Sequence, residues 1–439
     1  NYALLDNRSS LCGCWIIVGN RLGLCMIIGG HRSRQSSLLS FRVRKHKPDY
    51  SLLVIATVLL VIGLVVMYAI SPALAAQGGG VSDNYFVTKQ LVAVFLSFMA
   101  FAAAARIPLE VWGRWQKLLI VLAFVLSVAT VALNGMASRW IVLGGFSFQP
   151  VELVKFVLVI SGAAALSKAA EENNPTRLQV LKPLIISVIA FSVVILFLQH
   201  DLGSTFVLLF IIGLMAFVAG LPLRRLMLVS LLAVFVVMAA IGTTTYRKDR
   251  ITTFLQPERD CTNQGYHACQ ALIAVGSGGA LGLGLGRSVQ AYGYLPEAEN
   301  DSIFAIYAEK FGFAGVVILI GLMGALLLKI LDITQRAPSR ASQLICAGVF
   351  AWLSVQNLVN IGAMIGILPL KGITLPFISY GGTSLIFVMA ALGLVFQVSG
   401  YKVMRRSSIS FDEKRGSNEN SYNWRRNGRS RYSVTRDSF

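Results

Sequence analysis

Long apolar runs, each closed by a short polar or basic stretch, recur along nearly the whole chain. Ten of them read as membrane-crossing helices: 51–70, 87–105, 117–133, 151–168, 183–198, 204–221, 226–242, 303–330, 344–368 and 384–403. Several reach the roughly 18 apolar residues that cross a bilayer's hydrocarbon core. A soluble helical core seldom repeats runs of that length. The pattern predicts an all-α, polytopic integral membrane protein with about ten transmembrane helices. Most connections are short. The exception, 243–302, predicts a large extracytoplasmic loop between helices seven and eight, folded onto the membrane face by its aromatic and apolar residues.

Composition agrees, with 55% hydrophobic and 13% charged residues. A net charge of +19 would suit nucleic acid, but its distribution argues otherwise. Arg32, Arg34, Arg42, Arg44, Lys45 and Lys47 precede the first span. Alternate connections carry Arg106, Arg114 and Lys117, then Lys168, Arg177 and Lys182, then Arg224 and Arg225, then Lys329, Arg336 and Arg340. Lys402, Arg405 and Arg406 follow the last span. With ten spans all of these fall on one side, which makes that side, and both termini, cytoplasmic. The charge then faces anionic lipid and not nucleic acid. Residues 1–47 read as a poorly ordered cytoplasmic leader, 48–404 as the membrane domain, and 405–439 as a basic, disordered cytoplasmic tail that is solvated or docks a partner. The stretch 11–30 is apolar but interrupted by Asn20 and Arg21, and reads as leader or interfacial helix, not an eleventh span.

Cys12, Cys14, Cys25 and Cys346 read as free thiols. Cys261 and Cys269 share the outer loop, where a disulfide and two free thiols are both open. No zinc pattern or cofactor is indicated, and a divalent-cation requirement stays open. The glycine-rich run 276–286 lacks the Lys–Ser/Thr and strand–helix context of a phosphate loop. Close approach of its backbone to another element is the expectation.

Four polar sets lie at the outer ends of spans. In the first, Ser138, Arg139 and Trp140 precede FSFQPVELVK, in which Gln149 adjoins a helix-starting Pro150. Glu152 and Lys155 are three apart, on one helical face, as a neutralising pair or a cavity wall. In the second, the turn QHDLGST places Asp201 to cap the next helix or to contact a substrate. The third, LPEAENDSIFA, sets Glu297, Glu299 and Asp301 at the mouth of an apolar run that itself contains Glu309 and Lys310. Charges in hydrocarbon are costly and point to a site. Asp301 sits where the helix begins, as its N-cap, as a partly desolvated general base, or both. Glu297 and Glu299 read as loop residues, and Glu309 as a structural or cavity charge. The fourth, LPLKGITLPFISYGGTS, is a broken helix of the kind that lines a wet cavity. It carries Lys371, suited to a phosphate or to snorkelling, and Ser379.

These pieces, with YRKDRITTFLQPERD, GYHACQALIAVGSGG and NIGAMIGILPLKG, resemble the SEDS family (shape, elongation, division and sporulation), the FtsW, RodA and SpoVE group. The resemblance runs from about 47 to 405, and KGITLPFISYGG is nearer the division branch. The chain departs at His200, where the family usually has Pro, at Ser302, usually Phe, and at His267, usually Gln. The resemblance implies a peptidoglycan glycosyltransferase that polymerises lipid II on the outer face of the bacterial cytoplasmic membrane, at the division septum. Asp301 matches the family's catalytic position. Arg139, Lys155, Arg247 and Lys371 become candidates to stabilise the departing diphosphate, and Gln149, Glu152, Asp201 and Ser379 to contact substrate. The implied partners are a class B penicillin-binding protein (a transpeptidase) and other division proteins. A lipid II flippase, an elongation polymerase of RodA type and a non-catalytic scaffold are the competing readings. Concentration of the polar sets at one face favours chemistry there.

Overall fold

The computed structural model describes residues 42–45, 47–77, 82–135, 137–143, 146–171, 178–228, 231, 261–262, 265–369 and 372–404. The helices are α1 (Tyr50–Gln77), α2 (Tyr85–Arg106), α3 (Leu109–Asn134), α4 (Pro150–Glu171), α5 (Leu178–Val193), α6 (Leu202–Val218), α7 (Tyr266–Ser277), α8 (Ile303–Arg336), α9 (Arg340–Met364) and α10 (Gly382–Ser399). Among the described residues eight helices are long and apolar enough to cross a membrane, α5 doing so with the π-helical turn Val194–Leu198 that prolongs it. The predicted sixth span corresponds to the shorter α6. Nearly all of the predicted seventh span, 226–242, lies outside the described residues, as do most of the first half of the large loop, the leader before residue 42 and the tail after 404.

Two helices form the centre. The spanning windows of α4 and α9 are each 78% buried, against 17% for α3, so α3 faces outward while α4 and α9 are enclosed. α4 packs on α3, α5, α6 and α9, and α10 lies along α2. The outer faces show Phe95, Leu118, Leu133 and Phe313 to the surroundings. Such positions need no protein cover when lipid tails surround them.

The predicted span 303–330 is present as α8, with a break inside it. α8 is interrupted at Gly312, whose φ of 63° and ψ of −167° lie outside helical space. The glycine-rich run repairs the break. Leu283 and Gly284 donate N–H bonds to the carbonyls of Glu309 and Lys310 (2.9 and 3.0 Å), while Phe313 and Ala314 donate to Gly279 and Ala280 (2.9 and 3.0 Å). Broken backbone within a membrane must be satisfied by other protein groups in this way. A Cβ on Gly282 would lie 2.2 Å from the Lys310 carbonyl oxygen, and one on Gly312 2.3 Å from the Gly282 nitrogen. The close approach expected of 276–286 is therefore present, with α8 as its partner. The two charges in that run pin the same loop. The Glu309 carboxylate accepts from the Ser288 hydroxyl (2.6 Å) and from the Val289 and Gln290 amides (2.8 and 3.3 Å). The Lys310 ammonium donates to the Leu285 carbonyl (2.8 Å).

A correction concerns the ends of the membrane domain. The predicted last span, 384–403, stops at Ser399, and Tyr401–Met404 pairs antiparallel with Arg42–Lys45 as a two-stranded ribbon. Part of the expected leader is thus a strand. Nearby, Lys329 on α8 pairs with Asp49 at 3.2 Å, and the Asp49 amide donates to the Ser399 hydroxyl at 3.0 Å. A second ribbon, Ile141–Leu143 with Phe146–Phe148, leads into α4 at the opposite end of the bundle. In the large loop, Cys261 and Cys269 are joined as a disulfide, with Cα atoms 5.6 Å apart.

Candidate active site

Residues 297–302 wind into a turn at the start of α8, and three successive carbonyls of that turn are claimed by other segments. The Glu299 carbonyl accepts from the Tyr380 amide (2.7 Å), that of Asn300 from the Ser379 hydroxyl (2.6 Å), and that of Asp301 from the Asn360 side-chain amide (2.7 Å). Asn360 also donates to the Ile373 carbonyl (2.7 Å), and the Ser379 hydroxyl accepts from the Leu375 amide (2.7 Å). The turn is thereby tied to α9 and to the non-helical segment 372–381. Asp301 itself is buried, 7% exposed. Its role as N-cap is corrected, since Ser302 holds that position and supplies no side-chain cap bond. The Ser302 hydroxyl is engaged elsewhere. It donates to the Pro296 carbonyl (2.9 Å) and lies 2.7 Å from His267 Nε2 on α7. A serine has one hydroxyl proton, so the His267 nitrogen supplies the proton of that second bond.

Arg139 reaches the same place from the segment after α3. Its Nη2 donates to the His200 carbonyl (3.1 Å), and its Nη1 lies 3.8 Å from Asp201 Oδ2. Asp201 caps α6 as expected, accepting from the Ser204 amide (3.0 Å) and hydroxyl (2.7 Å). Gly372 separates Arg139 from Asp301. A Cβ there would sit 3.4 Å from Arg139 Nη1 and 3.7 Å from Asp301 Oδ2, so the absent side chain keeps the space between carboxylate and guanidinium open. The arrangement sets one guanidinium toward two buried carboxylates.

Backbone strain gathers around this point. The four non-glycine residues with positive φ among those described are Ala137 (70°), His200 (54°), Glu297 (50°) and Phe377 (70°). They flank Arg139, Asp201, Asp301 and Ser379 in turn, and residues held in such conformations concentrate at functional sites. The π-helical turn Val194–Leu198 that delivers Gln199 to Asp201 is a feature of the same kind.

Beneath the turn lies a buried polar ladder. Lys155 donates to Glu152 (2.7 Å) and to Gln356 (3.1 Å), with its ammonium 5.0 Å from the centre of the Trp352 ring. Gln356 also accepts from the Trp352 indole (2.6 Å) and donates to the Thr374 carbonyl (2.9 Å). Lys155 and Glu152 are each 3% exposed, so the predicted pair is enclosed in protein. Gln149, also buried, donates its amide to the Thr383 hydroxyl (3.3 Å). Arg139, Asp201, Asp301 and Ser379 are thus brought together, with Glu152 and Lys155 below them. Arg247 and Lys371 lie outside the described residues.

A groove of about 460 Å³ runs beside the turn, lined by Lys89, Gln90, Trp140, Ser147, Asn300 and Tyr380 among others. Glu299 is half-buried, and desolvation holds its carboxyl above the usual range, with the nearby Glu297 charge adding to the shift and a backbone hydrogen bond opposing it. Among the described residues no three His, Cys, Asp or Glu side chains converge to hold a metal ion. Lys89, Gln356, Asn360 and the His267–Ser302 contact are not among the sequence-derived candidates for the chemistry. Gln356 and Asn360 carry a readable signal, being polar residues one helical turn apart inside an apolar helix.

A family model described as cell cycle protein, covering FtsW, RodA and SpoVE, matches residues 50–403. The chain is 36% identical over 361 residues to the probable peptidoglycan glycosyltransferase FtsW of Saccharophagus degradans, covering 80% of this chain and 92% of that one. It is 34% identical over 365 residues to stage V sporulation protein E of Bacillus subtilis, covering 82% and 98%. Among solved structures, a chain of a peptidoglycan synthase complex, described as coordinating polymerization and crosslinking, superposes with a TM-score of 0.66 at 27% identity, covering 80% and 97%. The rod shape determining protein RodA of Thermus thermophilus superposes with a TM-score of 0.58 at 28% identity, covering 80% and 96%.

Proposed function

The chain belongs to the FtsW, RodA and SpoVE family of cell cycle proteins, and from that premise we propose how its site works as a peptidoglycan glycosyltransferase. The substrate is lipid II, a polyprenyl-diphosphate-linked disaccharide–pentapeptide. One observation carries the reading: buried Asp301 faces Arg139 across Gly372, in a turn held by three outside donors and bordered by an open groove.

Asp301 takes the proton from the acceptor sugar's 4-hydroxyl as that oxygen attacks the anomeric carbon of the donor. The bond to diphosphate breaks, and the leaving group gains negative charge. Arg139 supports that charge, with Lys89 in the groove and with Arg247 and Lys371 as further cations. Asp201 orients Arg139, and Ser379 orients the turn. Lys155, Glu152 and Gln149 act from below, holding 372–383 in place without touching substrate. Direct attack inverts the anomeric centre.

The protein is a multi-pass protein of the bacterial inner membrane. We place its site on the outer face and its termini in the cytoplasm, as the Lys and Arg distribution supports. Its partner is a class B penicillin-binding protein that crosslinks the product, a pairing supported by the synthase-complex relative. The FtsW relatives and the KGITLPFISYGG motif favour the division septum and other septal proteins as the setting.

The test is reconstitution with the penicillin-binding partner and labelled lipid II, with glycan ladders read on gels. The intact chain gives ladders and Asp301→Asn gives none while retaining its thermal midpoint. Undiminished ladders from Asp301→Asn would remove the base. Lipid II translocation without any polymer, beside a demonstrably active partner, would favour a flippase.

A further inference from the structure

At the end of the bundle opposite Asp301, α3 and α5 both pack on α4, and α3 also packs on the Val194–Leu198 turn that prolongs α5. Between them lies a groove of about 440 Å³. Its polar lining includes Lys117 from α3, Lys168 and Ser161 from α4, and Gln179 from the first turn of α5. Neither lysine makes an ion pair among the described residues. Ser161 is the more telling residue. It is 5% exposed, lines the groove, and its buried hydroxyl has no hydrogen-bond partner among the described residues. Ser127 and Ser167, by contrast, bond back to carbonyls of their own helices at 2.7 and 3.2 Å. A buried hydroxyl left unpaired calls for a ligand atom.

We propose that this groove binds the phosphodiester headgroup of an anionic phospholipid. Two ammonium groups, a hydroxyl donor and the positive end of the α5 dipole meet the charge of a phosphate. The rest of the lining selects a lipid over a free ion. Ile120 and Leu184 carry the wall on in apolar form. On the outward face of α3, Leu118 and Val121 are 68% and 60% exposed, giving acyl chains a surface that continues from the groove. Basic pockets between transmembrane helices on the cytoplasmic side recognise lipid headgroups through this chemistry. The groove shares no lining residue with the Asp301 site and is independent of the mechanism proposed above.

The test is native mass spectrometry of the full chain in detergent, titrated with phosphatidylglycerol, phosphatidylcholine or inorganic phosphate. Phosphatidylglycerol is expected to be retained in preference to phosphatidylcholine. The double variant Lys117→Gln/Lys168→Gln should weaken its retention roughly tenfold or more, and Ser161→Leu, which fills the groove, should weaken it comparably. Lys182→Gln is the control, since Lys182 is exposed at the same end but does not line the groove. Equal retention of the two lipids, or an equal loss with Lys182→Gln, would reduce the effect to general surface charge and overturn the site. Displacement of phosphatidylglycerol by millimolar inorganic phosphate would overturn the lipid assignment. Thermal midpoints of all variants, unchanged in detergent, separate lost binding from lost fold.

Discussion

Removing Lys155 should cost far more than removing Lys155 and Glu152 together. Lys155 is enclosed, with its nitrogen 2.7 Å from Glu152 Oε1 and 3.1 Å from Gln356 Oε1. In Lys155→Met the methylene stem is replaced by a side chain of similar length, but Glu152 is left as an uncompensated carboxylate, 3% exposed. Breaking a buried pair in this way costs about 3–5 kcal/mol, whereas replacing both partners with apolar residues is often close to neutral. Gln356 is cushioned in either variant because its oxygen still receives the Trp352 indole proton at 2.6 Å. The cation–π contact with Trp352 is lost in both and contributes about 1–2 kcal/mol. Lys155→Met should therefore lose about 3–5 kcal/mol or more, and Glu152→Met/Lys155→Met no more than about 2 kcal/mol. Thermal unfolding in detergent, followed by intrinsic fluorescence, would show a midpoint drop on the order of 5–10 °C for the single variant. Polymerisation should fall with it, because Gln356 links this pair to Thr374 in the segment that holds the Asp301 turn. Equal losses in the single and double variants, or a double variant equal to the sum of two single ones, would refute the reasoning.

Three other changes test separate parts of the structure. His267→Ala removes the donor to Ser302 and should slow polymerisation about five- to tenfold, the equivalent of one hydrogen bond, with little change in apparent lipid II affinity; His267→Gln, which restores a donor, should recover most of the rate. Gly312→Ala places a Cβ 2.3 Å from the Gly282 nitrogen at a φ of 63° and should cost about 2–4 kcal/mol, read as a lower thermal midpoint with faster hydrogen exchange over 279–284. Glu299 gives a pH signature. Its folded carboxyl holds its proton above the ordinary value of 4.5, mainly through desolvation. In the window between that value and the raised one the native state binds more protons than the unfolded chain, so stability falls as pH rises through it and levels off above. Glu299→Gln should flatten that part of a midpoint-against-pH curve, and an unchanged slope would remove Glu299 as its source.

What hydropathy could supply was the eight long helices seen among the described residues, because each apolar run is local and long. What it could not supply was their interruption. FGFAG around Gly312 is apolar throughout, so the break in α8 leaves no trace in a hydrophobicity profile. The glycines at 276–286 announced close packing, and Glu309 and Lys310 marked α8 as unusual, but nothing local to either segment pairs the two. The ribbon of 42–45 with 401–404 joins segments from opposite ends of the chain. Strand pairing over that separation is set by where the bundle delivers its termini. Four short residues of mixed character there read as easily as the fraying end of a helix.

The site was legible as ingredients and illegible as an arrangement. Asp301, Arg139, Asp201 and Ser379 each stood out as polar residues at the mouth of an apolar run, and the structure gathers all four. Their division of labour needed distances. Asp201 and Asp301 are chemically alike, but Asp201 spends both carboxylate oxygens on Ser204 and the start of α6, with Arg139 beside one of them. Asp301 is anchored through its backbone carbonyl and directs a side-chain oxygen toward the space kept open by Gly372. The two carboxylates therefore differ in what surrounds them: Asp201 lies against the first turn of α6, and Asp301 lies beside the gap at Gly372. Lys155 had the charge expected of a phosphate-binding group, and burial against Glu152 turned it into a beam under the site. Asn360 has no charge, yet its single amide joins the Asp301 carbonyl to the Ile373 carbonyl and so joins the Asp301 turn to the broken segment. In an apolar helix, an uncharged polar residue whose two bonds go to two different loops is the more specific mark of a site, because a charge can be tolerated by snorkelling to the surface while a buried amide must find its partners in place.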